Sequence, residues 1–527
     1  MLPGIASQPL FNMQKKNLLF LVFALLLFSC NKESTPHDVA PQKDPISREA
    51  ITQIVETSLR EGKVFNWEMV DDFTLWSAGQ QSDGFFALGY TLPEIQDIKS
   101  VIKDIQIDNS KWSAVKNKIF DVILEGERQM EPGKDIQVKD ILPFGQPKVL
   151  PNFTAKITNP KTITRLRQMK EVRYVEASGF NLSDAQIAER SGSGCGDNGP
   201  APYIWSSDYS NYSPWVKVPW NFQNANIPAA WNQTSGNNVK VCIIDTGGSD
   251  DQNNLGSPNY FNSGWSQGRS VQKKSTLYHG MWWWRKKDAP HDQCGHGTAT
   301  SGLATAPRGS DGNTVGVAYN SDLVVYRAVE DVIISTSNER EGVRDALVDA
   351  ALDGNVKIIS MSIGTPFWSS TVADGIYFAN AYGKMIFAAA GTSTSWTSWY
   401  PVIFPANMSQ TIAVTGVKEG SPMTKCTVCH DGSEVEFALV MERSSNSDRT
   451  SLALSVANTN TPTYFGGSSC ATATVAGIAA LVWSKNTGLS KSQVKSKLIQ
   501  ASSNYPNKDS DLGWGTINAY QAVNSTW

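Results

Sequence analysis

The chain has 527 residues, 40% of them apolar, which is enough for more than one packed domain. Its formal net charge of −3 and its isoelectric point near 6.0 give no basis for a nucleic-acid partner, which would select a basic surface. Seven cysteines are an odd number, so at least one of them is expected to have a role other than pairing within the chain.

Residues 1–30 are predicted to be an export signal. Lys15 and Lys16 precede an apolar run over 18–28, well short of the roughly 20 residues that span a bilayer. The run ends in Leu-Phe-Ser-Cys, which resembles a bacterial lipobox and predicts that Cys30 becomes the lipidated first residue. This reading predicts a lipid-anchored protein in the cell envelope of a Gram-negative-type bacterium. In the alternative, Cys30 is incidental to a plain cleaved signal and the protein is secreted.

Residues 31–44 are polar and predict a tether, and residues 45–185 predict a smaller α+β domain. Its predicted elements are helices over 91–107 (capped by Thr91), 110–124 and 160–169, an extended run over 152–157 and a strand over 172–176. The sequence of this domain offers no cluster of catalytic residue types, which favours a folding or inhibitory module over a second enzyme. A generic α+β domain of other role is the alternative. Residues 186–218 predict a linker exposed enough to be cut.

Residues 219–527 alternate between strands and helices, which predicts a mostly parallel sheet wound on both faces. The predicted strands are 239–244, 322–328, 356–363, 385–390 and 411–417, and the predicted helices include 340–353 and 371–382.

Three residues fall at the ends of these elements. Asp245 follows a buried strand, where α/β sheets place their chemistry, although a carboxylate that closes an Asx turn is an equal alternative for this residue alone. His296 lies between two glycines at the start of a helix of small residues, which leaves its imidazole accessible. Ser469 lies on a turn of small residues before an apolar helix, so its hydroxyl would be exposed at a helix N-terminus. A serine hydroxyl needs a base before it can act as a nucleophile.

Asp245-Thr246-Gly247, Gly295-His296-Gly297-Thr298 and Gly467-Ser468-Ser469-Cys470-Ala471-Thr472 resemble the three signatures of subtilisin-like serine proteases, in the chain order of that family. The resemblance implies that the chain hydrolyses polypeptides, with Ser469 as nucleophile, His296 as base and then acid, and Asp245 orienting the imidazole. It also implies that residues 45–185 are a prodomain that assists folding and inhibits the enzyme, so that the protein is made as a zymogen. By the same resemblance, the primary specificity pocket is flanked by two backbone segments, Ser362-Ile363-Gly364 and Ala389-Ala390-Gly391, the first of which would pair with substrate as an added strand.

One position departs from the family pattern. The resemblance places an asparagine directly after Ala389-Ala390-Gly391 to stabilise the oxyanion, and this chain has Thr392 there. Loss of such a donor typically costs about 100- to 1,000-fold in turnover. Thr392 therefore leaves several interpretations open: a protease that uses a hydroxyl, a slow protease, one that recruits Ser393 or Ser395, or a catalytically weak or inactive binding protein with a subtilisin-like fold.

The sequence Cys426-Thr427-Val428-Cys429-His430 matches a haem-attachment motif, but a disulfide is the favoured reading and a zinc site a third. Cys242, Cys294 and Cys470 adjoin the three signatures and could be buried thiols. We expect no metal or cofactor in the chemistry. A solvated loop is the favoured interpretation of Ser249-Asp250-Asp251, and the resemblance offers a structural Ca²⁺ ion held there as the alternative. Tryptophans at 282–284 suggest a packed insertion, or a surface that touches substrate or membrane.

Overall fold

A computed structural model describes residues 44–61, 64–180, 194–195, 198–280, 284–392 and 402–525. The predicted signal, including Cys30, therefore lies outside the described residues, as do Ser393 and Ser395. The predicted boundary at 185 also lies outside them and stays a prediction. Residues Pro45–Trp527 form one compact unit.

The N-terminal residues build a three-stranded antiparallel sheet. Its strands are β1 (Phe85–Tyr90), β2 (Asn152–Lys156) and β3 (Val172–Ala177), in the order β2-β1-β3. The accompanying helices are α1 (Arg48–Arg60), α2 (Asp72–Gln80), α3 (Ser110–Met130), α4 (Val138–Ile141) and α5 (Pro160–Gln168). One apolar cluster binds them together, and it includes Phe367 from the C-terminal part of the chain.

The helix predicted over 91–107 is wrong. The segment contains only two short 3₁₀ turns, Ile98–Ser100 and Ile102–Asp104. The Thr91 N–H donates to the carbonyl of Glu171, so the chain continues the backbone pairing of the central strand β1 instead of starting a helix. Asp97 then accepts the N–H of Lys99 and starts a new turn inside the predicted helix.

The C-terminal part is built on a parallel sheet of seven strands, which confirms the predicted fold class. Its strand order is β14-β13-β12-β11-β6-β10-β7. The strands are β6 (Lys240–Asp245), β7 (Val271–Ser275), β10 (Asp322–Arg327), β11 (Val356–Met361), β12 (Met385–Ala389), β13 (Ile412–Lys418) and β14 (Val435–Glu442). The intervening and following strands form small antiparallel pairs: β4 (Tyr209–Tyr212) with β5 (Val216–Pro219), β8 (Tyr278–His279) with β9 (Lys286–Lys287), and β15 (Ser451–Ala453) with β16 (Thr463–Phe465).

Helices cover both faces of the large sheet because its central strands are apolar on both sides. In β6, Val241 and Ile243 belong to one hydrophobic cluster, and Cys242 and Ile244 belong to the other. The first cluster holds α10 (His296–Thr305) and α13 (Gly467–Lys485), and the second holds α11 (Ser337–Leu352) and α12 (Ser370–Ala381). The remaining helices are α6 (Trp220–Asn224), α7 (Ile227–Ala230), α8 (Asn253–Gly256), α9 (Pro258–Phe261), α14 (Lys491–Gln500) and α15 (Ala519–Asn524).

Within the described residues, α13 is the one helix long and apolar enough to cross a membrane, and it is almost wholly buried in the protein. Its apolar character therefore belongs to the core.

The predicted linker contains more structure than its composition indicates. The carboxylate of Asp208 is fully buried and accepts hydrogen bonds from Arg443, Arg449 and Tyr464. The β4–β5 pair follows directly, so from Asp208 onward the chain is part of the packed C-terminal fold.

Candidate active site

The fold brings Asp245, His296 and Ser469 to the same edge of the large sheet. Asp245 ends β6, His296 begins α10, and Ser469 lies in the first turn of α13. The His296 Nδ1 and the Asp245 Oδ1 are 2.8 Å apart. All three residues are buried, Ser469 being the most accessible at 8% exposure.

The Asp245 carboxylate receives further hydrogen bonds that stabilise its charge away from water. Its Oδ1 accepts the Thr246 N–H at 2.8 Å, and its Oδ2 accepts the Thr300 hydroxyl at 3.3 Å. A carboxylate next to Nδ1 favours the tautomer with the proton on Nδ1. The lone pair of Nε2 is then available as a base.

Asp292 holds the histidine loop in place, a role that was not predicted. Its carboxylate accepts the N–H groups of Cys294, Gly295 and Thr298 and the hydroxyls of Thr246 and Thr298. An aspartate just before a Gly-His-Gly turn is a capping signal, so this role of Asp292 could have been predicted from the sequence.

Two opposing effects act on the His296 imidazole. Burial disfavours its charged form, but the neighbouring Asp245 carboxylate and its hydrogen bond outweigh burial and raise the pKa of His296 above the ordinary 6.5.

Ser469 is presented by a helix terminus with unused donors. The N-cap of α13 is Gly466, which has no side chain to accept the first N–H groups of the helix. These N–H groups, including that of Ser469, can therefore stabilise an anion. The Ser469 hydroxyl donates to the Ser362 carbonyl at 3.4 Å.

Thr392 lies beside this helix terminus. Its Oγ1 is 3.3 Å from the hydroxyl of Ser468, which also accepts the Gly391 N–H at 3.3 Å. A Cβ on Gly467 would lie 3.1 Å from the Thr392 Oγ1, so glycine allows this close approach. The Thr392 hydroxyl therefore lies next to Ser468, the residue that precedes the predicted nucleophile Ser469.

One pocket opens next to Ser469, and five of the six predicted substrate-binding residues line it. They are Ser362, Ile363, Gly364, Ala389 and Gly391. Ala390 is not among its lining residues, and its N–H donates to the Val414 carbonyl. The pocket is otherwise lined by Val332, Ile333, Thr365, Pro366, Thr392, Ile403, His430, Ser468 and Ser469.

The predicted substrate-pairing segment already has a partner at one end. The Gly364 N–H donates to the Val332 carbonyl at 3.0 Å, and its carbonyl accepts the Ile334 N–H at 2.9 Å. Residues 332–334 thus lie alongside the segment at Gly364.

The cysteines near the site form two disulfides, Cys195–Cys294 and Cys426–Cys429. The favoured disulfide reading of the Cys-x-x-Cys-His motif is confirmed, since each sulfur is bonded to the other. The buried-thiol reading of Cys294 is wrong, because Cys195 reaches it across 99 residues of sequence. The buried-thiol prediction is confirmed for Cys242 and Cys470, which are free and buried. Burial raises the pKa of the Cys470 thiol to about 12, which keeps this neighbour of Ser469 protonated.

His430 lines the pocket, a placement that was not predicted. Its buried imidazole packs on Gly391, where an added Cβ would lie 2.5 Å from Nδ1. The disulfide between Cys426 and Cys429 precedes it directly, so the motif shapes a pocket wall.

The two remaining predictions concern surface loops. The Lys273 ammonium donates to the Ser249 carbonyl at 2.7 Å and to the Asp250 carboxylate at 2.8 Å, so these oxygens already have a cationic partner. Among the described residues no group of three or more His, Cys, Asp or Glu could hold a metal ion, and a calcium site stays a prediction. Trp284 is largely exposed, and the two tryptophans before it lie outside the described residues.

Comparisons with known proteins agree with this geometry. The sequence model of the Subtilase family matches residues 236–515, more than half of the chain. Thermitase of Thermoactinomyces vulgaris is 26% identical over 301 residues, covering 57% of this chain and 94% of thermitase. Subtilisin E of Bacillus subtilis is 26% identical over 361 residues, covering 67% and 82%. A thermostable alkaline protease of Halalkalibacterium halodurans is 27% identical over 307 residues, covering 58% and 73%.

The pKa of His296 can be measured directly. We expect NMR titration of the imidazole in a Ser469→Ala variant to give a midpoint above 6.5, because the Asp245 carboxylate stabilises the charged ring. Adding Asp245→Asn should lower that midpoint, since the substitution removes the negative charge. A midpoint that does not move would show that Asp245 exerts no electrostatic effect on the ring.

Proposed function

The chain belongs to the subtilase family and is a serine-type endopeptidase, and from this premise we propose that Ser469 is its nucleophile, His296 its general base and then acid, and Asp245 the residue that orients His296. The observation that carries the proposal is the 2.8 Å contact between the buried Asp245 carboxylate and His296 Nδ1, at the same sheet edge as Ser469. The proposal further includes synthesis as a zymogen and export to the cell envelope.

In the proposed reaction, the Nε2 of His296 takes the Ser469 proton as Oγ attacks the scissile carbonyl. The imidazolium then gives this proton to the leaving amine, and an acyl-enzyme remains on Ser469. Water, deprotonated by the same nitrogen, then attacks the acyl carbon; the bond to Ser469 Oγ breaks, the acid product leaves, and the imidazolium returns the proton to Oγ. Asp245 keeps Nδ1 protonated throughout and stabilises the charged ring.

The oxyanion formed by this attack would receive hydrogen bonds from the Ser469 N–H and the Thr392 hydroxyl. A hydroxyl is shorter than the asparagine side chain of the family pattern, but Thr392 lies against Ser468 and lines the same pocket as Ser469. The pocket walls include Val332, Ile333 and Ile403, which favours an apolar or broad preference at the scissile residue.

The proposed nucleophile is tested by Ser469→Ala. We expect the purified wild-type chain to be cut between about residues 183 and 214 and to cleave a peptide library, whereas the variant stays full length and cleaves nothing, because it lacks the attacking oxygen. Mass spectrometry of the purified chains and of the library products measures both effects. Normal processing of the variant in a protease-free preparation would argue against self-cleavage, and retained peptide cleavage would exclude Ser469 as nucleophile.

The role of Thr392 is tested by Thr392→Val, which removes the hydroxyl and keeps the shape. We expect kcat to fall by about 100-fold with little change in KM, because the hydroxyl acts on the charge that develops in the transition state. Thr392→Ser, which keeps a hydroxyl, is the matched control. An unchanged kcat in Thr392→Val would assign oxyanion stabilisation to other groups.

The N-terminal domain is proposed to be the inhibitor, and polar contacts with the C-terminal part support this. Arg173 donates to both carboxylate oxygens of Asp374, at 2.6 and 3.1 Å. The side chains of Asn152 and Tyr174 donate to the same carboxylate. Asp374 is 1% exposed, so removal of these donors would leave a buried charge uncompensated.

A second contact caps α12. The Glu176 carboxylate accepts the N–H of Ser370 at 2.9 Å and its hydroxyl at 2.6 Å. Burial raises the pKa of Glu176 to about 7, against the lowering effect of the Ser370 hydrogen bonds.

This contact predicts that inhibition weakens as pH rises. The pKa of the Glu176 carboxyl is 4.5 when free and about 7 when buried against the enzyme. The buried carboxyl therefore stabilises the complex of the N-terminal domain with the enzyme fully below pH 4.5, and this stabilisation is lost as the pH rises through 7. We expect the cut N-terminal domain to separate from the enzyme more readily at about pH 8 than at about pH 5 on size exclusion. In a Glu176→Gln variant the side chain cannot ionise, so dissociation should differ less between the two pH values. The same pH dependence in the variant as in the wild type would show that Glu176 does not cause it.

Export and anchoring through Cys30 rest on the sequence alone. In a bacterial host of the Gram-negative type, we expect the wild-type chain in the membrane fraction and Cys30→Ser in the soluble fraction, because the variant has no thiol to acylate. Fractionation and immunoblotting measure this distribution. A Cys30→Ser variant that stays with the membrane would contradict the lipid anchor.

A further inference from the structure

The segment before the C-terminal fold is covalently attached to the loop that carries His296. Cys195 forms a disulfide with Cys294, two residues before the histidine. Residues 194–195 thus lie at the site although they are 100 residues earlier in the sequence than the loop that they touch.

Gly194 lies beside the His296 ring. A Cβ placed on Gly194 would lie 3.1 Å from the Cδ2 of His296 and 3.1 Å from the Val332 side chain. Cδ2 is bonded to Nε2, the ring nitrogen opposite the one that Asp245 holds. Gly194 therefore lies beside both the Nε2 side of the imidazole and Val332 of the pocket wall.

Asn198 fixes the segment by a second means. Its side-chain amide donates to the Gly194 carbonyl at 2.7 Å and to the Cys294 carbonyl at 3.1 Å. Its own carbonyl accepts the Val456 N–H at 3.0 Å. These contacts are to the C-terminal fold, so a cut before residue 194 leaves the segment attached there.

The position of the segment has a consequence for substrate. His296 and Val332 both lie beside Gly194, so a peptide with its scissile carbonyl at Ser469 that extends along residues 362–364 toward residues 332–334 would pass the His296 ring. The side chain of the residue before the scissile one would then enter the space beside the imidazole. Gly194 already occupies part of that space.

We propose that residues Gly194 and Cys195, held by the Cys195–Cys294 disulfide, form a wall of the substrate cleft that restricts the residue before the scissile one to small side chains. This inference rests on the proposed roles of Ser469 and His296. It assigns to the disulfide a function in specificity, and it requires that the processing cut fall before residue 194, so that Gly194 and Cys195 stay in the mature enzyme.

The test compares two fluorogenic peptides that differ only in alanine or phenylalanine before the scissile residue. For the processed wild-type enzyme we expect kcat/KM to favour alanine by about 100-fold, as for a pocket too small for a large side chain. In the double variant Cys195→Ser, Cys294→Ser the ratio should fall by at least about tenfold, through faster cleavage of the phenylalanine peptide. The double variant Cys426→Ser, Cys429→Ser controls for the loss of a disulfide near the pocket, and its ratio should fall by less than in Cys195→Ser, Cys294→Ser. An equal fall in both double variants would assign the effect to disulfide loss in general and overturn the proposal.

A second measurement covers the case in which the first double variant does not fold. Reductant added to the folded Cys426→Ser, Cys429→Ser enzyme opens Cys195–Cys294, the disulfide that remains among the described cysteines, and should shift the ratio in the same direction. A ratio unchanged by both treatments, or a wild-type ratio near unity, would overturn the proposal. Failure of the wild-type enzyme to cleave either peptide would instead contradict the proposed function.

Discussion

The hydrogen bond between Asp245 and His296 is the contact on which the rest of the site depends. Both groups are buried, and an ionised carboxylate without water is costly unless other donors surround it. Thr246 and Thr300 supply such donors, and Asp292 holds the loop that brings His296 into range. These contacts therefore hold the Asp245 carboxylate against Nδ1 of the His296 imidazole.

The parallel sheet makes this contact possible. Strands that run in the same direction place their carboxyl ends at one edge, and β6 ends there with Asp245. Helix α13 reaches that edge because it packs closely on α10: a Cβ on Gly477 would lie 2.6 Å from the Val317 side chain and 3.0 Å from the Ala304 carbonyl. The small residues around Ser469 thus serve the approach of two helices as well as the approach of a substrate.

Much of this site was predictable because its residues carry local signals. Asp245, His296 and Ser469 each lie in a motif, and the alternation of strands and helices predicted the sheet that unites them. The helix expected over 91–107 does not form because Thr91 continues the pairing of the central strand β1 and Asp97 starts a separate turn. The Cys195–Cys294 disulfide and the pocket position of His430 were not predictable, since both depend on contacts between segments far apart in sequence.

The most direct test of a nucleophile at Ser469 activated by His296 is covalent labelling with an active-site-directed fluorophosphonate after the N-terminal domain has been removed. We expect an adduct that mass spectrometry maps to Ser469, formed much more slowly in a His296→Ala variant because the hydroxyl then lacks its base. The absence of an adduct, an adduct at another residue, or equal rates in the two proteins would contradict a nucleophile at Ser469 activated by His296.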